Sequence, residues 1–474
     1  MGRADDCRAL LDYLSHVRVG GLIYLETPMI RFSGRTFLVL GLGRTGQAAV
    51  RLLRQVGAQV LVWDDAGEKS SEIPWADLQA IVASPGIPFA WPHPHSLIEK
   101  ARWHGVPILS DVDVLRLLAP QATFLAITGT NGKSTTTAWL GHVLSRDTAT
   151  PCQMGGNIGL PALDLPILTE GRYVLELSSY QLEISVFPLY EIALLLNLAP
   201  DHLTRHGGWE GYVTAKRRIF LNPQARAVVG VDDLSGARLV EEFKKDPHRV
   251  LLPISGKMVP VGGVGWKEGV LMDAYSSPQR PLKVLRQEEI LQGEHNRQNA
   301  AAVYAMAMLC GRDAFSLAED MRSFKGLEHR QEEVLTCKNV TFINDSKATN
   351  AGSVIPAFQR FPQVYWIAGG RPKEDGIASL APYWGCIKKA FLIGEAAELF
   401  AQTLAASSVP FDLSHTLEAA VAAAFSAARQ AAMQQGPQVV LFSPACASFD
   451  QFANFEERGA CFKRLVQEAT QRRA

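Results

Sequence analysis

The chain has 474 residues, 47% hydrophobic and 20% charged, with 47 basic and 47 acidic side chains. That length admits about three domains of ~100–200 residues, and the composition fits a soluble globular protein. Zero net charge removes the electrostatic reason to expect nucleic acid or an anionic membrane as partner, and no apolar run approaches the ~18 residues that span a bilayer.

Residues 1–25 are interrupted by Asp5, Asp6, Asp12, His16 and Arg18, so no signal-peptide core is expected. The seven cysteines (Cys7, Cys152, Cys310, Cys337, Cys386, Cys446, Cys461) form no C-x-x-C pair, which points to reduced thiols and a cytoplasmic protein. About 30 residues precede the first strand, and the sequence gives them no role.

Residues 36–118 read as a first α/β unit with a parallel sheet. The apolar run at 36–40 leads into Gly41-Leu-Gly43-Arg-Thr-Gly46 and then a helix over 47–55. Further strands are expected at 59–63, ending at Asp64-Asp65, and at 79–83, ending in Ser84-Pro-Gly-Ile87. Gly-x-Gly-x-x-Gly after a strand, with Asp64 about 20 residues on, has the form of a dinucleotide site. The same glycines also serve plain strand–helix packing.

A second unit begins near Gln121. The apolar run at 123–127 meets Gly129-Thr-Asn-Gly-Lys-Ser134, and Thr135 onward reads as a helix. Strand, glycine turn and helix N-terminus make a phosphate cradle, in which backbone N–H groups face the anion. Lys133 adds a point charge, and Ser134 can hold Mg²⁺. The usual longer phosphate loop would need glycine at position 127, which is Ile127. Short strands at 173–177 and 192–196 follow. Glu176 ends the first, where a nucleotide-bound Mg²⁺ needs a ligand, or where a carboxylate simply faces solvent. His202, in Asn197-Leu-Ala-Pro-Asp-His202, reads as a metal or substrate contact or as an ordinary polar residue. Lys216 lies in a helical run at 212–220 and reads equally as a surface lysine beside two arginines. The patch Val261-Gly-Gly-Val-Gly265 reads as a surface hairpin.

The third unit follows His329-Arg330. Strands at 340–343, 364–368, 390–393 and 439–442 alternate with helical runs such as 417–433, again α/β. Asn344-Asp-Ser-Lys-Ala-Thr-Asn350 is more polar than a strand-end turn requires and suggests phosphate and carboxylate contacts. In Ser443-Pro-Ala-Cys-Ala-Ser448, Cys446 reads as a buried structural thiol.

Taken in order, these motifs resemble the Mur ligase family over residues ~34–470, together with Gly156-Asn-Ile-Gly-Leu-Pro161, residues 175–183 and Gly293-Glu-His-Asn-Arg-Gln-Asn299. The 344–350 and 443–448 motifs are similar to those of its D-glutamate-adding branch. The resemblance implies three domains: a Rossmann-like UDP-substrate domain at 1–120, a P-loop-type ATP domain at 121–325 and a Rossmann-like glutamate domain at 326–474. It implies a peptidoglycan-precursor ligase in which the carboxylate of UDP-N-acetylmuramoyl-L-alanine takes the γ-phosphate of ATP. The amine of D-glutamate then displaces phosphate from the acyl phosphate.

By the same resemblance Gly129, Thr130, Asn131, Gly132, Lys133, Ser134 and Thr135, with Asn296, Asn299, Arg330 and Asp345, surround ATP. Ser134, Glu176, His202 and Lys216 hold Mg²⁺, Lys216 as a carbamate, and Lys133, Lys216 and His202 are the catalytic set. Arg44, Thr45, Gly86 and Asn157 meet the UDP substrate. Lys347, Thr349, Lys373, Ser448 and Phe455 hold glutamate. Two departures stand out: Ala66 follows Asp64-Asp65 where a familiar member of the family carries an arginine, and the segment 369–375 differs in length from that of some relatives. A monomer with no nucleic-acid or membrane partner is expected. The alternatives are another Mur-type or folylpolyglutamate-type amide ligase, a nucleotide-binding module without catalysis, and a nicotinamide dehydrogenase.

Overall fold

The computed structural model describes residues 31–277, 282–290, 294–372 and 376–471. The signal-peptide reading of residues 1–25, Cys7 and the glutamate candidate Lys373 lie outside the described residues. Three sheets with their flanking helices are distributed over two compact units, the first reaching to Phe324 and the second running from Lys325.

The first unit holds two sheets. β1 (Thr36–Leu40), β2 (Gln59–Trp63), β3 (Leu78–Ala83) and β4 (Ile108–Leu109) form a parallel sheet in the order β2-β1-β3-β4. Both faces of β1 are covered, so its run is apolar throughout rather than alternating. Gly46 is dictated by packing, since a Cβ there would lie 1.8 Å from the Gly41 carbonyl oxygen.

The second sheet contains β5 (Thr123–Thr128), β6 (Cys152–Gly156), β7 (Arg172–Glu176), β8 (Ile192–Leu195), β9 (Arg226–Gly230), β10 (Leu251–Ile254), β11 (Val264–Lys267), β12 (Val270–Asp273) and β13 (Leu282–Arg286). Its order is β13-β12-β11-β10-β9-β8-β5-β7-β6, parallel from β6 to β11 and antiparallel beyond. β5 lies between β7 and β8, so the loops after all three open at one sheet end, where ligands bind such folds.

The glycine patch at 261–265 departs from the expected surface hairpin. Gly263 and Gly265 are buried, and a Cβ on either would meet the Pro253 or Met258 carbonyl at 2.1 or 1.9 Å. The hairpin turn comes later, between β11 and β12, where Glu268 and Gly269 take φ of 51° and 73°.

The second unit is built on β14 (Glu332–Cys337), β15 (Val340–Asn344), β16 (Val364–Gly369), β17 (Ile387–Ile393), β18 (Phe411–His415) and β19 (Gln438–Phe442), ordered β14-β15-β19-β16-β17-β18. Only β14 pairs antiparallel, through a hairpin with β15. The alanine-rich helix Leu417–Gln435 covers one face, with Phe425 edge-on to Phe342 at 5.3 Å. Cys446 is fully buried and its thiol is pushed up to about 12 by burial, as a structural cysteine requires. Among the described residues no helix is long and apolar enough to cross a membrane.

Candidate active site

The loop after β5 turns on two glycines. Gly129 has φ 153° and Gly132, the N-cap of helix Lys133–Ser145, has φ 83°. Side chains are excluded at both: a Cβ would stand 2.9 Å from Leu196 Cβ at Gly129, and 2.3 Å from Asn299 Oδ1 at Gly132. The first-turn amides of this helix have no intrahelical acceptor and converge at its N-terminus, the geometry of an anion site. Lys133 Nζ donates to the carbonyls of Gly129 and Thr130, each at 2.8 Å, so its charge lies over the loop. Thr130 Oγ1 is 2.9 Å from Tyr212 Oη and accepts from the Ala199 amide at 2.9 Å.

Lys216 is not a surface lysine. It is 2% exposed in helix Trp209–Arg217, and its Nζ donates to the Gly129 carbonyl at 2.8 Å and reaches Thr128 Oγ1 at 3.3 Å. Burial, then repulsion from Lys133, lowers its pKa from the ordinary 10.5 to about 7, with Asp201 and Glu176 opposing. A large fraction of this amine is therefore neutral, and so nucleophilic, near pH 7.

Glu176 is likewise not a solvated strand end. It is 2% exposed; Oε1 accepts from Asn157 Nδ2 at 2.8 Å, while Oε2 is buried with no hydrogen-bond partner among the described residues. A buried carboxylate oxygen left unmatched is costly unless a cation meets it, so this atom suits a Mg²⁺ ligand. No three His, Cys, Asp or Glu side chains cluster as a metal site among the described residues. His202 is half-exposed at φ 50°, its ring 5.2 Å from Tyr180.

Helix Glu294–Leu309 brings two candidates to the loop. Asn299 Oδ1 accepts from Thr136 Oγ1 at 3.2 Å, and its Nδ2 donates to Asn296 Oδ1 at 3.0 Å. In the β1 sheet, Arg44 opens helix Arg44–Gln55 and donates to the Gly159 carbonyl at 2.8 Å, two residues beyond Asn157. Thr45 is half-buried beside it, and Gly86 is exposed with open space around it. Asp64, the acidic residue of the dinucleotide pattern, accepts the backbone amides of Leu42 at 2.6 Å and Ala66 at 3.0 Å, so it braces the glycine turn.

In the second unit, the strand ends of β15 and β19 bring the 344–350 and 443–448 motifs together. Asp345 is 5% exposed, accepts from Ser443 Oγ at 2.7 Å and from the Gln331 amide at 3.2 Å, and is raised by burial to about 7. Lys347 Nζ lies 3.8 Å from the centroid of the Phe455 ring, a cation–π contact. Ser448 is buried, Thr349 half-buried and Arg330 exposed, the last between His329 and Gln331 at φ 63° and 46°.

Sequence reasoning missed Arg458. Its buried guanidinium reaches Ser346 Oγ at 3.1 Å and donates to the carbonyls of Ser346, Cys446 and Ala447 at 2.9, 3.0 and 3.2 Å, stitching the two motifs together. Its position three residues beyond Phe455, on the same helix face, was the available signal.

The Mur ligase middle domain family matches residues 127–307. The chain is 44% identical to the UDP-N-acetylmuramoylalanine--D-glutamate ligase of Rhodospirillum rubrum, over 94% of this chain and 97% of that protein. It is 47% identical to the protein of the same name from Paramagnetospirillum magneticum, over 94% and 98%. Among solved structures, MurF from Acinetobacter baumannii superposes with a TM-score of 0.58 at 20% identity, covering 93% of this chain and 91% of that one. MurC from Thermotoga maritima gives 0.57 at 18% identity, covering 92% and 99%. These two likenesses establish the fold.

Proposed function

The chain belongs to the Mur ligase family, and we propose that it is the member that joins D-glutamate to UDP-N-acetylmuramoyl-L-alanine at the expense of ATP, in peptidoglycan-precursor synthesis. The near full-length identity with relatives bearing that name carries the reading. The site supports it with a phosphate loop flanked by a buried amine and a buried carboxylate.

In this reading the chemistry needs charge neutralisation more than a protein nucleophile. The 129–135 loop and Lys133 hold the triphosphate, Asn296 and Asn299 fix its surroundings, and Arg330 and Asp345 are further ATP-binding candidates. Ser134, Glu176, His202 and a carbamate on Lys216 would hold Mg²⁺, which when bound would supply positive charge to the phosphates. The orphaned Glu176 Oε2 supports that role, and the lowered pKa of Lys216 supports carbamate formation, since only the free amine takes up CO₂. Arg44, Thr45, Gly86 and Asn157 orient the UDP substrate. Lys347, Thr349, Lys373, Ser448 and Phe455 receive glutamate.

We retain the functional division 1–120, 121–325 and 326–474, supported by the three sheets. The reading extends to a monomer at work in the cytoplasm, supported by the free thiols of the six described cysteines.

The test is phosphate release from ATP-Mg²⁺ with each substrate omitted in turn. Release that requires both UDP-N-acetylmuramoyl-L-alanine and D-glutamate is expected. ATP turnover indifferent to both would overturn the ligase reading.

A further inference from the structure

We propose that Asn197 is the positioning residue of the phosphate loop, held in its working orientation by a relay through Gln298 to Asp232. The proposal rests on the loop's being the ATP phosphate site and adds how its apex is fixed.

Residue 197 meets the loop at three points. Its carbonyl accepts the Thr130 amide at 2.9 Å, its Oδ1 accepts the Asn131 amide at 2.8 Å, and its Nδ2 donates to the Asn131 carbonyl at 3.2 Å. One amide side chain thus holds both backbone polar groups of the apex residue. The Thr130 and Asn131 amides are committed sideways, and the anion faces the amides that follow, at the helix N-terminus. A six-residue glycine loop has much conformational freedom to lose when it binds phosphate. Tying its apex down beforehand removes part of that cost.

An asparagine amide can turn over and exchange its oxygen and nitrogen. The relay forbids the turned state. Asn197 Nδ2 also donates to Gln298 Oε1 at 2.9 Å, and Gln298 Nε2 donates to Asp232 Oδ2 at 3.0 Å. Asp232, acceptor only when ionised, is itself fixed by Ser255 Oγ and by the Gly256 amide at 2.8 Å. Acceptor identity at Asp232 therefore sets the sense of Gln298, and Gln298 sets that of Asn197. Gln298 stands beside Asn299, so one helix carries both the relay and a side chain that touches Gly132 and Thr136.

The experiment compares the full-length chain with Asn197→Ala, Gln298→Leu, the double variant and Asn197→Asp. Steady-state kinetics are varied in each substrate, and thermal midpoints are recorded. Losing this bidentate hold should lower kcat/KM for ATP in Asn197→Ala about tenfold or more, while the KM values for the UDP substrate and glutamate stay within about twofold. Gln298→Leu should lose part of the same factor, and the double variant should be no worse than Asn197→Ala. Losses that multiply in the double variant, or fall equally on all three substrates, would overturn the relay. Should Asn197→Ala fail to fold, Asn197→Asp decides. It keeps the acceptor for the Asn131 amide but lacks the donor, and wild-type kcat/KM for ATP in that variant would also overturn the proposal. Lys133→Ala separates the two levels. If it retains ATP turnover, the loop reading itself fails; if it loses turnover while the Asn197 and Gln298 variants do not, only the relay fails.

Discussion

Replacing Asp345 with asparagine shifts the stability of the protein relative to wild type in a pH-dependent way. The carboxyl is buried and its pKa is raised from the ordinary 3.8 to about 7. A folded-state value above the unfolded one means that ionisation opposes folding. The penalty is absent below about pH 4, grows by about 1.4 kcal/mol per pH unit up to pH 7, and is constant above that. Wild type therefore loses about 3 kcal/mol from this group between pH 5 and pH 8. Asparagine carries no such term. It also gives up one of the acceptors used by Ser443 Oγ and the Gln331 amide, a fixed cost of about 1 kcal/mol. Urea denaturation of both proteins at pH 5, 6, 7 and 8 should show the difference moving by about 3 kcal/mol in favour of the variant as pH rises. A difference constant to within about 0.5 kcal/mol over that range would refute the assignment of a carboxyl whose burial outweighs its hydrogen bonds. Ligation should fall in the variant at every pH.

Lys216→Ala should abolish ligation, and small carboxylic acids should restore part of it by occupying the vacated space as anions; full activity in the variant would remove Lys216 from the mechanism. Glu176→Gln keeps an oxygen for Asn157 but no charge, so the Mg²⁺ concentration for half-maximal activity should rise at least about tenfold. An unchanged Mg²⁺ titration would show that Oε2 is not a metal ligand. Gly132→Ala meets both a φ of 83° and Asn299 Oδ1 at 2.3 Å. It should cost about 2 kcal/mol or more in stability and raise the KM for ATP, and a variant unaltered in both would contradict the loop geometry.

Much of the fold was legible where chemistry and periodicity coincide. The strands flanking the phosphate loop are short apolar runs buried on both faces, and each ends in a polar residue that turns out to matter. β6 was not legible, because Cys-Gln-Met-Gly-Gly has no strand pattern; it forms because Gly155 and Gly156 let its backbone pass close to the Leu160 and Glu176 carbonyls. β14 and the β11–β13 extension escaped because strands of mixed polar and apolar residues leave little local signal. Within the site, spacing gave Lys133, Ser134 and Glu176, but left Lys216 and His202 open until the family resemblance was added. Burial settles that Lys216 and Glu176 are not surface groups. The roles of Asn197 and Arg458 depend on long-range hydrogen bonds, to a loop 66 residues away in sequence for Asn197 and 112 for Arg458, which no local pattern encodes.

The central claim, addition of D-glutamate, is tested most directly by offering the enzyme UDP-N-acetylmuramoyl-L-alanine, ATP and Mg²⁺ with D-glutamate, L-glutamate, lysine or alanine in turn, and measuring the ligated product together with phosphate. Product with D-glutamate alone, in a one-to-one ratio with phosphate, is the predicted result. Ligation of another of these amino acids in its place would contradict the account.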